Sequence, residues 1–210
     1  MSLTVSGNQG GGGSFEICPA GTYAARCYQI IDLGHQTVEW QGTAKVVPKV
    51  RITWEVNEQM SDGRPYSISK EYTASIGPKS NLRKDLEAWR GRPFTEDELR
   101  AFSLENVLGA PCFIGIAHVQ KGEKTFANIN SIMALPKGMD CPELTNAKVK
   151  FEIDNFDADI FESLSEYVRK KIMMSKEMED GGIPTKKAES KVEAVEAKVK
   201  KSAPKKSAKK

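Results

Sequence analysis

Lys49, Arg51 and Thr53 alternate with Val50, Ile52, Trp54 and Val56 in the run KVRITWEV. A period of two places the apolar residues on one face of a strand and the cations, with Glu55, on the wet face. Cations on an open strand face can neutralise the phosphates of a polyanion. Lys70 and Tyr72 share a second face in SISKEYTASI, where the tyrosine is either a core residue or a platform for a base. In TFANINSIMAL, Phe126 shares its face with Asn128 and Asn130, and Ala127, Ile129, Ser131 and Met133 take the other. A phenylalanine among amides suits base stacking, each stack contributing about 1–3 kcal/mol, better than it suits a core. Lys121 and Lys124 flank it. Trp40 stands among Gln36, Gln41 and Gly42, where it either stacks on a base or caps one end of the fold. Arg90 and Arg92 bracket Gly91, with Lys79, Arg83 and Lys84 nearby; such charges either touch nucleic acid or form a solvated helix face.

Catalysis finds less support in the residue pattern. His35 and His118 lack metal-ligand spacing, and no GxSxG, HExxH or P-loop pattern occurs. Cys18, Cys27, Cys112 and Cys141 include no CxxC pair, so they read as thiols of a reducing compartment rather than as a zinc site. Asp32, Glu55, Glu71 and Asp85 form no recognisable carboxylate–lysine cluster of a metal-dependent nuclease. A non-catalytic protein is expected, with no cofactor and no metal.

The elements that must position these residues follow from local pattern. Thr22 to Leu33 reads as a long first strand ending at Gly34, with His35 to Gly42 a loop or hairpin end. Lys45 to Val56 is a second strand and Ser67 to Ile76 a third, separated by the turn Asp62-Gly63-Arg64-Pro65. Leu82, Leu86 and Trp89 fall at i, i+4 and i+7, which makes KSNLRKDLEAWR an amphipathic helix closed by Gly91. Thr95 and Glu98 then form a capping box, with Phe94 and Leu99 at the hydrophobic-staple positions. Ser103 to Leu108 adds a further turn. Cys112 to Val119 and Thr125 to Leu135 are strands joined by the turn at Gly122. Val149 to Ile153 is a short extra strand. Asp159 to about Lys176 is helical, with Phe161, Leu164, Val168 and Ile172 on one stripe.

The 210 residues are 39% apolar and 28% charged, which suits one domain of roughly 150–180 residues with tails. Residues 1–14 read as a flexible Gly-rich arm, residues 15–178 as the domain, and residues 179–210 as a disordered Lys/Ala-rich tail. From Gly181 onward ten Lys stand against three Glu, a charge of +7, which leaves −4 for the rest of a chain whose net charge is +3. Any anion site on the acidic body is therefore local, and general attraction to nucleic acid belongs to the tail. No signal peptide is read at the N-terminus, and no apolar run approaches the ~18 residues of a membrane helix. The expected location is a cytoplasm, and no membrane partner is expected.

Three strands, helices and two more strands make the element order of the OB-fold, a five-stranded Greek-key barrel with its helical insert between strands three and four. Such barrels bind oligonucleotides on the outer face of strands two and three, which here includes Lys49, Arg51 and Thr53. The segments GTYAARCYQIIDLG, KVRITWEV, EYTASIGPKSNLRKDLEAWRGRPFT and LGAPCFIGIAHVQKGEKTFANINSI resemble a family of bacteriophage single-stranded-DNA-binding OB-fold proteins of replication and recombination. The resemblance spans roughly residues 20 to 175, with Glu71 to Thr95 its most distinctive part. It implies sequence-independent binding of single-stranded DNA, with phage replication or recombination proteins, or a second copy of the chain, as further partners. The basic tail departs from the acidic tail common in such proteins, and so points to direct nucleic-acid contact rather than recruitment. Two alternatives stay open: a structural or adaptor protein whose tail binds duplex DNA, and a metal-dependent nuclease.

Overall fold

The computed structural model describes residues 16–181; the N-terminal arm and the basic tail from 182 on lie outside the described residues. The chain is mainly β, built on one open, largely antiparallel sheet of six strands. These are β1 (Gly21–Trp40), β2 (Thr43–Gln59), β3 (Pro65–Thr73), β4 (Pro111–Lys121), β5 (Lys124–Met133) and β6 (Val149–Phe151). Their order is β3-β2-β1-β4-β5, with β6 added parallel to β1. Helices α1 (Asn81–Arg90) and α2 (Glu96–Arg100) follow β3, and α3 (Ala158–Ser163), α4 (Glu166–Met173) and α5 (Lys176–Gly181) follow β6. Among the described residues no helix is long and apolar enough to cross a membrane.

The alternation in β2 buries Val50, Ile52, Trp54 and Val56, as a period of two requires. They pack with Ala25, Cys27 and Ile30 of β1, Ile114 and Ile116 of β4, and the apolar face of α1. Leu82, Leu86 and Trp89 supply that face, and Trp89 lies 5.5 Å from Trp54, ring centre to ring centre. The Trp89 indole nitrogen donates to the Pro111 carbonyl at 2.8 Å, so the large ring carries no orphaned donor. The helix starts on Ser80, whose hydroxyl accepts from the Arg83 amide, and stops on Gly91 in the left-handed conformation. It lies against both edge strands, β3 and β5, which approach each other without a shared hydrogen-bond ladder.

A second core covers the other face of β1. Ile31 and Leu33 pack there against Phe151, Ile153, Phe156, Leu164, Val168, Ile172 and Met178. The expected single helix over 159–176 is three short ones, interrupted at Leu164-Ser165 and at Met174-Ser175. Ser165 is the N-cap residue of α4, a position where serine is preferred. The apolar stripe survives these breaks because Leu164, Val168 and Ile172 still meet the same core.

The first strand does not end at Gly34. It is bulged between Asp32 and His35 and runs on to Trp40, where Gln41 and Gly42, both with positive φ, turn it into β2. Two positive φ values suit the tight hairpin turn that matches strand twist. Gly34 itself has φ +67°, and a Cβ there would come within 2.6–2.7 Å of Glu177 Oε2, Ile153 Cδ1 and Ser175 Cβ. The bulge thus seats α5 against the strand. Glu177 accepts from the His35 amide at 2.9 Å and lies 2.6 Å from His35 Nδ1, so His35 fastens the C-terminal helices. His118 Nε2 lies 2.9 Å from the Cys18 carbonyl oxygen, a bond in which the ring N–H donates. Cys18, Cys27 and Cys112 are buried free thiols and Cys141 is half-buried. Burial pushes the Cys18 thiol up to about 11 and the Cys27 thiol up to about 12.

Gly122 provides a control for Gly34, because its φ is +62° and nothing lies within 4 Å of a Cβ there. Gly122→Ala is expected to cost the left-handed backbone term alone, about 1–2 kcal/mol. Gly34→Ala adds overpacking of about 1–3 kcal/mol. Urea denaturation of both variants measures the difference, and equal losses would contradict the seating of α5 on Gly34.

Candidate nucleic-acid interface

The register of β2 against β3 sets Lys49 opposite Thr73, Arg51 opposite Glu71, Thr53 opposite Ser69 and Glu55 opposite Ser67. The face is not the open cationic wall that the alternation predicts. Arg51 Nη1 donates to Glu71 Oε1 at 3.1 Å, and Lys171 of α4 bonds the other carboxylate oxygen. The Tyr167 ring, from the same helix, lies 5.6 Å from the Arg51 guanidinium and 5.1 Å from the Lys171 ammonium. Its hydroxyl donates to Glu71 at 3.4 Å. Burial pushes the Glu71 carboxyl up, but the Lys171 bond and the charges of Lys171 and Arg51 outweigh it and hold the group below its ordinary range. Further along, Thr53 is buried and donates to Gln29 Oε1 at 3.1 Å. Glu55 is also buried, accepting from the amides of Thr145 and Asn146 at 2.8 Å each. Helix α4 and the loop at 145–146 therefore cover the middle of the face, and Arg51 has a protein counterion.

Lys70 and Tyr72 take the opposite face by parity. Tyr72 is only 3% exposed, so its ring has no side left for a base, and the stacking role is excluded in this fold. Its hydroxyl donates to Asp85 Oδ2 at 2.8 Å, and Lys70 Nζ bonds the same oxygen at 2.7 Å. Burial and the Asp85 charge both push the Tyr72 hydroxyl far up, so it stays a donor. Lys49 Nζ bonds the Thr73 hydroxyl at 3.2 Å. Lys49 and Lys70 nonetheless reach one space. With Lys79, Thr73, Ser75 and Ser80 they line a groove of about 630 Å³ between β3 and the start of α1.

Arg90 and Arg92 do not join that groove. Both bond Glu98, Arg92 Nη2 at 2.7 Å, and Arg90 stands 4.5 Å from the Phe94 ring centre and 5.0 Å from that of Phe102. Glu98 also completes the capping box by accepting from the Thr95 amide at 3.0 Å. The two guanidiniums are thus the clasp of the α1–α2 corner, with their charge answered inside the protein. The Arg92 bond, then the Thr95 amide and Arg90, hold the Glu98 carboxyl down to about 2.

The β4–β5 hairpin carries the remaining candidates. Cross-strand register pairs Lys121 with Lys124, Val119 with Phe126 and Ala117 with Asn128, so these residues share one face. Phe126 is 44% exposed and Val119 39%. The side chains of Lys121 and Lys124 have no hydrogen bond or ion pair among the described residues. The expected continuation through Asn130 is broken. Ser131 pairs with Gly115 and Ile129 with Ile116, which leaves Asn130 as the extra residue of a bulge. Trp40 closes β1 opposite Thr43; the expectation for its side chain lies outside the described residues.

The structure therefore brings Lys49, Lys70 and Lys79 to one groove and Lys121, Lys124, Phe126 and Asn128 to one hairpin face. Arg51, Tyr72, Arg90 and Arg92 it assigns to packing and ion pairs. The covering residues Tyr167 and Lys171 carry no signal in the sequence beyond their place on a helix. Among the described residues no group of three or more His, Cys, Asp or Glu is placed to hold a metal ion. No protein-family model and no curated protein matches the chain.

A carboxyl held below its unfolded value stabilises the fold above that value, and the contribution is lost as pH falls through the folded value. For Glu98 the window runs from the ordinary 4.5 down to about 2. The Thr95 amide resonance, which reads the Glu98 bond directly, is expected to titrate with a midpoint near 2; a midpoint near 4.5 would dissolve the clasp. Glu71→Gln should destabilise the protein by about 1–3 kcal/mol, as loss of a half-buried charged acceptor does, and loosen α4, read by amide exchange over Glu166–Met173.

Proposed function

We propose that this protein binds single-stranded DNA without sequence preference, through an OB-type barrel, and protects or organises single strands during phage DNA replication or recombination. The observation that carries the reading is the β4–β5 hairpin face, where an exposed Phe126 stands with Asn128 and two lysines that no carboxylate answers among the described residues. Sequence-independent single-strand binding needs these two components, a π-face for bases and cations for phosphates. An amide beside the ring can bond a base edge without selecting one base, because it both donates and accepts.

The barrel assignment rests on the strand order β3-β2-β1-β4-β5 and on α1 and α2 lying between β3 and β4. That is the element order of an OB-fold, in which the loops joining strands one–two and four–five frame the bound strand. The hairpin with Phe126 is the second of these loops. With the middle of the outer face of β2 and β3 covered by α4 and the 145–146 loop, the hairpin and the lysine groove offer cations to a strand. In this reading the protein acts by binding and not by catalysis.

Phe126→Ala should weaken oligo-dT binding about tenfold, which corresponds to one stack of about 1.4 kcal/mol. Fluorescence anisotropy at fixed salt measures it, and an unchanged affinity in a folded variant would remove Phe126 from the site. The parent should prefer oligo-dT to a duplex of equal length. Equal affinity for both, abolished by deleting residues 181–210, would instead make the tail the only binding element.

A further inference from the structure

The ion pairs divide the cations of the body into two groups. Every arginine is answered by a carboxylate: Arg26 by Glu143, Arg51 by Glu71, Arg64 by Asp62, Arg83 by Glu87, Arg90 and Arg92 by Glu98, Arg100 by Asp97, and Arg169 by Glu162. Lys70, Lys150, Lys170, Lys171 and Lys176 are answered too. The remaining eight lysines of the described residues have no ion pair, and Lys49 and Lys79 are the two of them that stand at the groove. Lys49 touches only the neutral hydroxyl of Thr73, and Lys79 has no hydrogen bond or ion pair among the described residues. Both line the 630 Å³ groove, whose volume is that of a small-ligand site.

The groove's own acids do not cancel them. Glu71 is held by Arg51 and Lys171, and Asp85, just behind Lys70, is held by Lys70 and the Tyr72 hydroxyl. Two unanswered ammonium groups therefore face a concavity that also offers the hydroxyls of Thr73 and Ser75 and the amide of Asn81. Point charges with hydroxyl donors between them suit the oxygens of a phosphate, and lysine holds phosphate without demanding the fixed bidentate geometry of arginine.

Building on the single-strand reading above, we infer that this groove, through Lys49 and Lys79, binds phosphate groups of the nucleic-acid strand, apart from the base-stacking face at Phe126. Neutralising one phosphate of a single strand contributes about 0.7 to the slope of log K against log salt. The test is a salt titration of full-length parent, Lys49→Ala/Lys79→Ala and Phe126→Ala with oligo-dT, with and without a 5′ phosphate. The lysine variant should lose about 1.4 from the slope, as two lost phosphate contacts predict. Phe126→Ala should lose affinity at every salt concentration with the parent's slope. A slope lost equally with both oligonucleotides assigns the groove to internal phosphodiesters, and one lost only with the phosphorylated oligonucleotide assigns it to the strand end; either supports the site. An unchanged slope in the lysine variant, with the Phe126→Ala effect intact, overturns the groove and leaves the single-strand reading standing. Failure of the parent to bind oligo-dT overturns both. Lys79 is exposed and Lys49 half-buried, and circular dichroism of the double variant confirms that a lost slope is not lost fold.

Discussion

Burial of β1 on both faces is the constraint on which the rest of the structure depends. Ala25, Cys27 and Ile30 enter one core and Ile31 and Leu33 the other; the bulge at Tyr28 shifts the parity so that Ile30 rejoins the face of Ala25 and Cys27, and alternation sends Ile31 and Leu33 to the opposite face. A strand with no wet face needs two layers to cover it. The sheet curving around α1 supplies one, and β6 with the C-terminal helices supplies the other. The second layer is what brings α4 over Arg51, so the placement of Tyr167 and Lys171 follows from covering Ile31 and Leu33 rather than from any demand of the charged face.

The same arrangement decides where positive charge stays available. Arg26, Arg51, Arg90, Arg92 and Arg169 meet carboxylates from other elements at corners and interlayer contacts, and Arg64, Arg83 and Arg100 pair within their own turn or helix. What remains unanswered among the described residues is ammonium, and the groove rim and the hairpin tip are two places where it gathers. A frame tied by arginine and a contact surface made of lysine separate the task of holding the fold from that of meeting an anion. An acidic body can in this way present local positive ground without rearranging its own ion pairs.

Local pattern made much of this legible. The alternation of β2, the stripe of α1, its stop at Gly91 and the Thr95–Glu98 capping box depend on residues within a few positions of one another, and each stands where spacing predicts. Gly34 shows the limit, since a glycine after a β-rich run reads equally as a strand end and as a bulge. Parity fixes which residues share a face but not which face is wet; for Lys70 and Tyr72 that is decided by α1 and its Asp85. The pairing of Arg51 with Glu71 requires the β2–β3 register, and the bond from Lys171 to Glu71 joins residues 100 apart in sequence. The bulge at Asn130, which ends the Phe126 face, has no Gly or Pro on its own strand to announce it.

The two-sided strand also sets an order of events during synthesis. Ile31 and Leu33 leave the ribosome long before the layer that covers them, because the bond from the Ile153 amide to Asp32 spans 121 residues. At about 5–20 residues per second, roughly 6–24 s pass before that cover exists. Through that interval the nascent chain presents a half-dressed sheet with an aliphatic stripe, a surface that chaperones hold and that neighbouring nascent chains can join. The C-terminal helices therefore end the period in which the protein is most prone to aggregate.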